Sequence, residues 1–403
     1  MQRVVIDEPY EFVSPYKGTF LSRLFRWFLP GHLRKEHGIT EWECRGVENL
    51  KQSMEAGHGV LLCPNHCRPS DPMAMGLVNT AADCHTFSMA SWHVFKQSRL
   101  QAFLTRQFGA FSIYREGMDR QALNAAMEIV VSAERPLIVF PEGVISRRNN
   151  NLLELMDGTA FIARSAAKKR AKLDPEKKVV VHPVALHYEF KGDLESSVAP
   201  VLDRIEQRLS WAPRTDLDAR TRASRVAKAM LSLKELEHVG EVGSGDVYDR
   251  MERLIEAILQ PLETEWFGGA KEGQVVNRVK NIRSAVLPDM VKGGIDESER
   301  QRRWKQLSAV YLAQQLSMYP RGYLDDGAPI EHLLETIEGL EEDLTDAVTP
   351  HPPMHLRIAI GKAIEVETKR PRGEADPLMV ELRSQLLTLI GNLGREVSER
   401  RSK

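Results

Sequence analysis

From about residue 40 to 192 short apolar runs alternate with amphipathic segments, and this alternation limits the possible fold more than any other feature. Gly59–Cys63, His85–Ala90, Ala110–Tyr114, Leu137–Phe140 and Val179–His187 have the length of buried strands. Pro72–Leu77, Phe95–Gln107, Arg120–Ala133 and Gly158–Lys172 carry helical spacing. Apolar strands alternating with helices predict an α/β domain with a mainly parallel central sheet flanked by helices. Ligands of such sheets sit beyond the carboxyl ends of the strands. Three unusual sequences fall at those ends: "NHCRPSD" (65–71), "YREG" (114–117) and "PEGVISRR" (141–148). After Gly192 the chain turns to charged helical patterns broken by loops, with "LRIAIGKAIEV" (356–366) as the one candidate strand. The expected division is an amphipathic segment over 1–39, the α/β domain over 40–198, and a mostly helical C-terminal extension over 199–403 to which the sequence assigns no chemistry.

The N-terminal segment "TFLSRLFRWFLPGHLRK" (19–35) places Phe20, Leu21, Leu24, Phe25, Trp27, Phe28 and Leu29 on one broad helical face, with Ser22, Arg23 and Arg26 opposite. Pro30-Gly31 is expected to end this helix. An aromatic face backed by arginines suits either the headgroup boundary of an anionic membrane or the protein's own core. No stretch reaches the ~18 apolar residues that a spanning helix needs. Arg3, Asp7, Glu8 and Glu11 argue against a signal peptide.

A formal net charge of -1 gives no footprint for nucleic acid. The four cysteines, Cys44, Cys63, Cys67 and Cys84, all lie in the first quarter and read as reduced thiols of a cytoplasmic protein. A zinc corner from Cys63, His66, Cys67, Cys84 and His85 lacks any CxxC pair, so no metal is expected. No P-loop or dinucleotide fingerprint is present.

The chemistry concentrates at the strand ends. Ser70-Asp71-Pro72 reads as a helix start. His66 then lies in the turn before it, where the chain can fold the imidazole back onto Asp71. A carboxylate on one imidazole nitrogen fixes the tautomer and supports the imidazolium formed when the other nitrogen takes a proton. That is a general base whose nucleophile is a substrate hydroxyl. The plainer alternative is a helix-capping Asp71 and a loop histidine. Cys67 beside His66 points elsewhere in an extended turn. Arg115, delivered by the strand ending at Tyr114, suits a phosphate or carboxylate. Glu142 can accept bonds from hydroxyls, Gly143 permits close approach of a ligand to the backbone, and Arg147 and Arg148 add charge.

In order and spacing these sequences resemble the glycerolipid acyltransferase family, the 1-acyl-sn-glycerol-3-phosphate-acyltransferase-like proteins. His66 and Asp71 match its His-x4-Asp pair, with Asn65 ahead. Gly109, Ile113 and Arg115 match the second block, Phe140-Pro141-Glu142-Gly143 the third, and "VVVHPVAL" with Pro183 the fourth. The resemblance covers roughly residues 40–192. It implies the glycerolipid acyltransferase fold and transfer of a fatty acyl group from acyl-CoA or an acyl carrier protein thioester to an acceptor hydroxyl, with no bound cofactor or metal. His66 would be the base and Asp71 its orienter. Arg115, Glu142, Gly143 and Arg147 would bind a lysophospholipid or glycerol-phosphate-like acceptor. It also favours a peripheral enzyme on the inner face of the membrane, held by the N-terminal helix. Two departures stand out: Val144-Ile145-Ser146 replaces the usual Thr-Arg-Ser, and Asp157-Gly158 replaces a common Lys-Gly. Fewer positive charges therefore await the acceptor. The competing readings are a lipid-binding scaffold on the same fold and a hydrolase using the same base on water.

Overall fold

The structure is a computed structural model that describes residues 5–369 and 376–402. The chain divides into two compact units, one comprising Phe12–Tyr114, Asp119–Gly192 and Pro350–Lys403, the other Met1–Glu11, Arg115–Met118 and Asp193–Thr349.

The first unit holds the sheet. Its elements run α1 (Phe20–His37), β1 (Ile39–Arg45), α2 (Val47–Glu55), β2 (Gly59–Pro64), α3 (Asp71–Ala82), β3 (Phe87–Ser91), α4 (Trp92–Lys96), α5 (Arg99–Gln107), β4 (Ala110–Ile113), α6 (Arg120–Ser132), β5 (Leu137–Ile138), α7 (Gly158–Leu173) and β6 (Val179–Phe190). The sheet order is β1-β7-β6-β2-β5-β3-β4, where β7 is Met354–Ile360 and β8 (Ile364–Glu365) pairs with β6. β7 and β8 run antiparallel to β6, and the other pairings are parallel. This is the expected mainly parallel α/β sheet with helices around it. All twelve residues of β6 are buried, because it lies between neighbours and is covered on both faces. The core joins Leu61, Phe87, Phe111, Leu137 and Val181 of the sheet to Val130 of α6 and Ala163 of α7.

Several boundaries differ from the sequence reading. Pro30 lies inside α1, which continues to Gly38 in the left-handed region. An interior proline costs a helix about 3 kcal/mol. Here Leu29 and Leu33, on either side of it, are both buried, and Leu29 packs onto Gly76 of α3. Burial of two leucines offsets the lost bond. The expected helix Phe95–Gln107 is two helices, because Ser98 is extended and its hydroxyl accepts the Gln101 N–H, starting α5 anew.

The largest difference is at the C-terminus. Residues 350–402 do not extend the helical region. They return to the sheet unit as β7, β8 and α14 (Pro377–Arg401), which packs Leu382, Leu386 and Ile390 into the core. The other unit is helical: α8 (Leu194–Arg208), α9 (Ala219–His238), α10 (Val247–Phe267), α11 (Val275–Lys292), α12 (Glu297–Leu316) and α13 (Ile330–Thr345). Buried arginines clamp carboxylates of neighbouring helices, as Arg222 does Glu206 at 2.8 Å and Arg278 does Glu263 at 2.8 Å.

Candidate active site

The turn between β2 and α3 carries His66 and Asp71. β2 ends at Pro64, and α3 begins at Asp71 with Pro72 in its first turn. Asp71 does not cap the helix. Its Oδ2 accepts the His66 Nδ1–H at 2.9 Å and the Arg68 backbone N–H at 2.8 Å, and its Oδ1 accepts the Tyr188 hydroxyl at 2.6 Å. Ser70, the residue before the helix, donates instead to the Tyr188 oxygen at 3.1 Å. Asp71 is fully buried, whereas the His66 side chain keeps 14% of its surface exposed. A carboxylate with three donors around it is an acceptor only, so Nδ1 carries the imidazole proton and Nε2 carries the lone pair. Among the described residues Nε2 makes no hydrogen bond.

The imidazole plane is set by more than Asp71. Phe140, from the third block, stacks on it with ring centroids 4.1 Å apart. The backbone is fixed from the same loop. The His66 N–H donates to Glu142 Oε1 at 2.7 Å, and the His66 carbonyl accepts the Ser146 N–H at 2.7 Å. Glu142 Oε2 accepts the Leu153 N–H at 2.8 Å. Glu142 is 1% exposed. The structure therefore gives this carboxyl a different task from the expected acceptor contact: it ties the His66 turn to the third-block loop. Burial pushes its pKa up to about 8, against the two N–H donors that lower it, and the nearby Asp71 charge raises it further.

Tyr188 is the residue that sequence reasoning missed. β6 pairs with β2 as far as Pro64↔Val184 and then runs on to Phe190. Past the end of β2, two asparagine side chains take over the ladder. Asn65 donates to the Leu186 carbonyl at 3.1 Å and accepts its N–H at 2.7 Å. Asn149 does the same at Tyr188, at 2.7 and 2.8 Å. The extended strand thus carries the Tyr188 hydroxyl to Asp71. Burial, with the Asp71 charge next, holds the phenol well above its ordinary range, so it stays a donor. The available signal is a polar-tipped aromatic continuing a mostly apolar strand.

The remaining expected residues are distributed unevenly. Gly143 adopts φ +69°, and a Cβ there would strike Met156, so the close approach is by the protein itself. Arg147 also has positive φ, at 55°, is half-buried, and its carbonyl accepts Arg148 Nη1 at 2.7 Å. Val144 is buried and Ile145 half-buried. Arg115 belongs to the helical unit, in the segment Arg115–Met118. There Glu116 pairs with Arg283, while burial and the Arg283 charge press the Arg115 guanidinium down to about 10. Cys63 is in the core, its thiol pushed up by burial, and Cys67 Sγ lies 3.9 Å from Asp71 Oδ1. Among the described residues no three His, Cys, Asp or Glu side chains are grouped to hold a metal ion.

Chemically, the turn offers one open imidazole nitrogen backed by a buried, triply bonded carboxylate, and among the described residues no serine or thiol is in hydrogen-bond contact with the ring. Such a pair withdraws a proton from a bound hydroxyl. No curated protein matches the chain. A model of the acyltransferase family matches residues 41–187, a span that contains β2, the His66 turn, the Glu142 loop and β6 as far as His187. Residues 41–187 are therefore similar to the acyltransferase family.

Proposed function

We propose that the protein is an O-acyltransferase that moves a fatty acyl group from a thioester, acyl-CoA or acyl carrier protein, to a hydroxyl of a lysophospholipid or glycerol-phosphate-like acceptor. The observation that carries this reading is the His66 Nδ1–Asp71 bond of 2.9 Å with Nε2 left open. Nε2 takes the acceptor's hydroxyl proton as the oxygen attacks the thioester carbonyl. The tetrahedral adduct then expels the thiolate, and the imidazolium returns the proton to sulfur. Asp71 holds the ring and balances its transient charge. Tyr188 and the Arg68 N–H hold Asp71, and Glu142 positions His66 through the backbone. The family resemblance gives Arg115 and Arg147 the task of binding an acceptor phosphate. Val144 and Ile145 leave the third block apolar, which favours an acceptor bound with fewer charge contacts.

The product is a lipid, which favours an enzyme that works at a membrane surface, on our reading the inner face. No helix among the described residues is long and apolar enough to cross a membrane. α1 instead presents Phe20, Leu24, Trp27 and Phe28 outward, with Arg23, Arg34 and Lys35 exposed beside them. Phe25, grouped with these from sequence, faces inward and stacks against Phe108. Leu29 is likewise a core residue.

The deciding experiment supplies purified protein with acyl-CoA or acyl carrier protein thioesters and a panel of lysolipids, with products read by mass spectrometry. Acylated lipid that disappears in His66→Ala is the expected result. Free fatty acid as the sole product would instead indicate hydrolysis. Lipid binding without turnover would leave a scaffold.

A further inference from the structure

α5 is an amphipathic helix with no buried residue. A nine-residue helix rarely holds in water without an apolar face packed on something. Yet Leu100 is 68% exposed and Phe103 is also exposed, on the same face one turn apart. α1 behaves similarly along one side, where Trp27 is 85% exposed. The two helices are joined. Phe25 of α1 stacks on Phe108, the residue after α5, with centroids 4.7 Å apart, and Arg106 of α5 donates to the Ser14 carbonyl at 2.9 Å, just ahead of α1.

The charge around these helices indicates what covers them. The chain has 56 Asp and Glu in 403 residues, yet residues 12–35 contain none, and neither do residues 84–114. The first stretch carries Lys17, Arg23, Arg26, Arg34 and Lys35, the second Lys96, Arg99 and Arg106. Arg23, Lys35, Lys96 and Arg99 are exposed. Glu36 and Asp83 border these stretches, paired with Lys35 at 3.3 Å and with Arg26 at 3.0 Å, so cations outnumber acids around the two helices. Aromatic and leucine side chains projecting from a cation-rich surface match the boundary of an anionic bilayer, where rings enter the acyl edge and cations meet phosphates. We propose that α1 and α5 form a two-helix platform on an anionic lipid surface, with Leu100 and Phe103 inserting as well as Phe20, Leu24, Trp27 and Phe28. This rests on the reading of α1 as interfacial and adds a second, independent contact. α1 also packs on α3, the helix that starts at Asp71, through Leu29 against Gly76.

The test is co-sedimentation of the full chain with phosphatidylglycerol-containing vesicles and with pure phosphatidylcholine vesicles. Wild type prefers the anionic vesicles and loses binding as salt is raised. Leu100→Asp with Phe103→Asp weakens partitioning roughly tenfold or more, with an unchanged melting temperature because neither side chain is buried. Leu100→Ser with Phe103→Ser shows a smaller loss and serves if the aspartates disturb folding. Wild-type partitioning in both α5 variants, with loss in Trp27→Asp plus Phe28→Asp, overturns the α5 contact and leaves α1 standing. Loss only in the α5 variants keeps this contact and removes α1. No binding by wild type overturns both. If sedimentation velocity shows a dimer that the α5 variants break while vesicle binding persists, a second copy covers this face and the lipid assignment is wrong.

Discussion

Replacing Asp71 by Asn isolates what the buried carboxylate does for His66. Asn keeps the size and one acceptor oxygen. At the Oδ2 position that oxygen still accepts both the His66 Nδ1–H and the Arg68 N–H. The amide NH2 then faces Tyr188, whose hydroxyl turns to accept it. The reverse orientation would set NH2 against the Arg68 N–H, two donors facing each other, and is disfavoured. The ring, its tautomer and the fold therefore survive. What is lost is the counter-charge to the imidazolium of the proposed reaction. Two unit charges 2.9 Å apart attract by about 6 kcal/mol at an effective dielectric constant of ~20, which is a ceiling because His66 keeps some solvent. A hydrogen bond to a charged group is worth a net ~1.5–3 kcal/mol. Between these limits, a barrier increase of about 3–4 kcal/mol corresponds to a roughly 10²–10³-fold fall in kcat. The assay is acyl transfer at saturating thioester, with KM for the acceptor and thermal melting in parallel. KM should stay within about threefold, since the interaction is made in the transition state. The melting temperature should move by no more than about 3 °C. A kcat within threefold of wild type would refute the base–orienter reasoning. A collapse in stability would show instead that Asp71 is chiefly a structural anchor for Arg68 and Tyr188.

Three further substitutions probe the surroundings. Burial lifts the Glu142 carboxyl from its ordinary 4.5 to about 8, so its contribution to stability is full below pH 4.5 and is lost as pH rises through 8; the wild-type melting temperature should fall from pH 5 to 9, and Glu142→Gln should flatten that slope by an amount equivalent to a few kcal/mol, parallel curves being the contrary result. Gly143→Ala places a Cβ at φ +69° against Met156 and should cost about 1–3 kcal/mol in denaturant unfolding, an unchanged midpoint refuting the close contact. Ile145→Arg restores a cation to the third block and should shift competition between lysolipids toward the phosphomonoester by roughly fivefold or more; an unaltered product ratio would disconnect this position from the acceptor.

The parts of this architecture that were legible from sequence are those whose signal is local. Apolar runs of strand length gave the parallel sheet, and a His and an Asp five positions apart before a Pro gave the turn, because a turn and a helix start are built from neighbours in the chain. The parts that were not legible depend on partners distant in sequence. Glu142 was expected to face a ligand because a carboxylate after a strand usually meets solvent, and only its 76-residue-distant bond to the His66 N–H shows otherwise. The apolar run of β6 ends at His187 in sequence, which leaves Tyr188 outside it, whereas Asn65 and Asn149 prolong its ladder. Phe25 and Trp27 are indistinguishable by composition, and packing against Phe108 decides which of them faces inward.

The C-terminal strand was misplaced for a related reason, and its true position bears on the site. The chain leaves the sheet at Phe190 and rejoins it at Met354, and these two residues are paired across β6 and β7. The Lys191 N–H donates to the Pro353 carbonyl at 3.0 Å, one step beyond that pair. Departure and return are thus adjacent, so the chain can run through residues 193–349 and rejoin the sheet with its register intact. The long helical stretch before it hides this, because nothing local marks β7 as belonging to strands more than 160 residues earlier. β7 then covers the open edge of β6 along Phe190 to Val184, which includes Tyr188 opposite Leu356. The hydroxyl that holds Asp71 is consequently fixed from both sides: by asparagines of the two motif loops on one edge, and on the other by a strand that the motifs do not contain. Truncation before β7 should for that reason lose activity even though residues 41–187 remain, since it unpairs the strand that carries Tyr188.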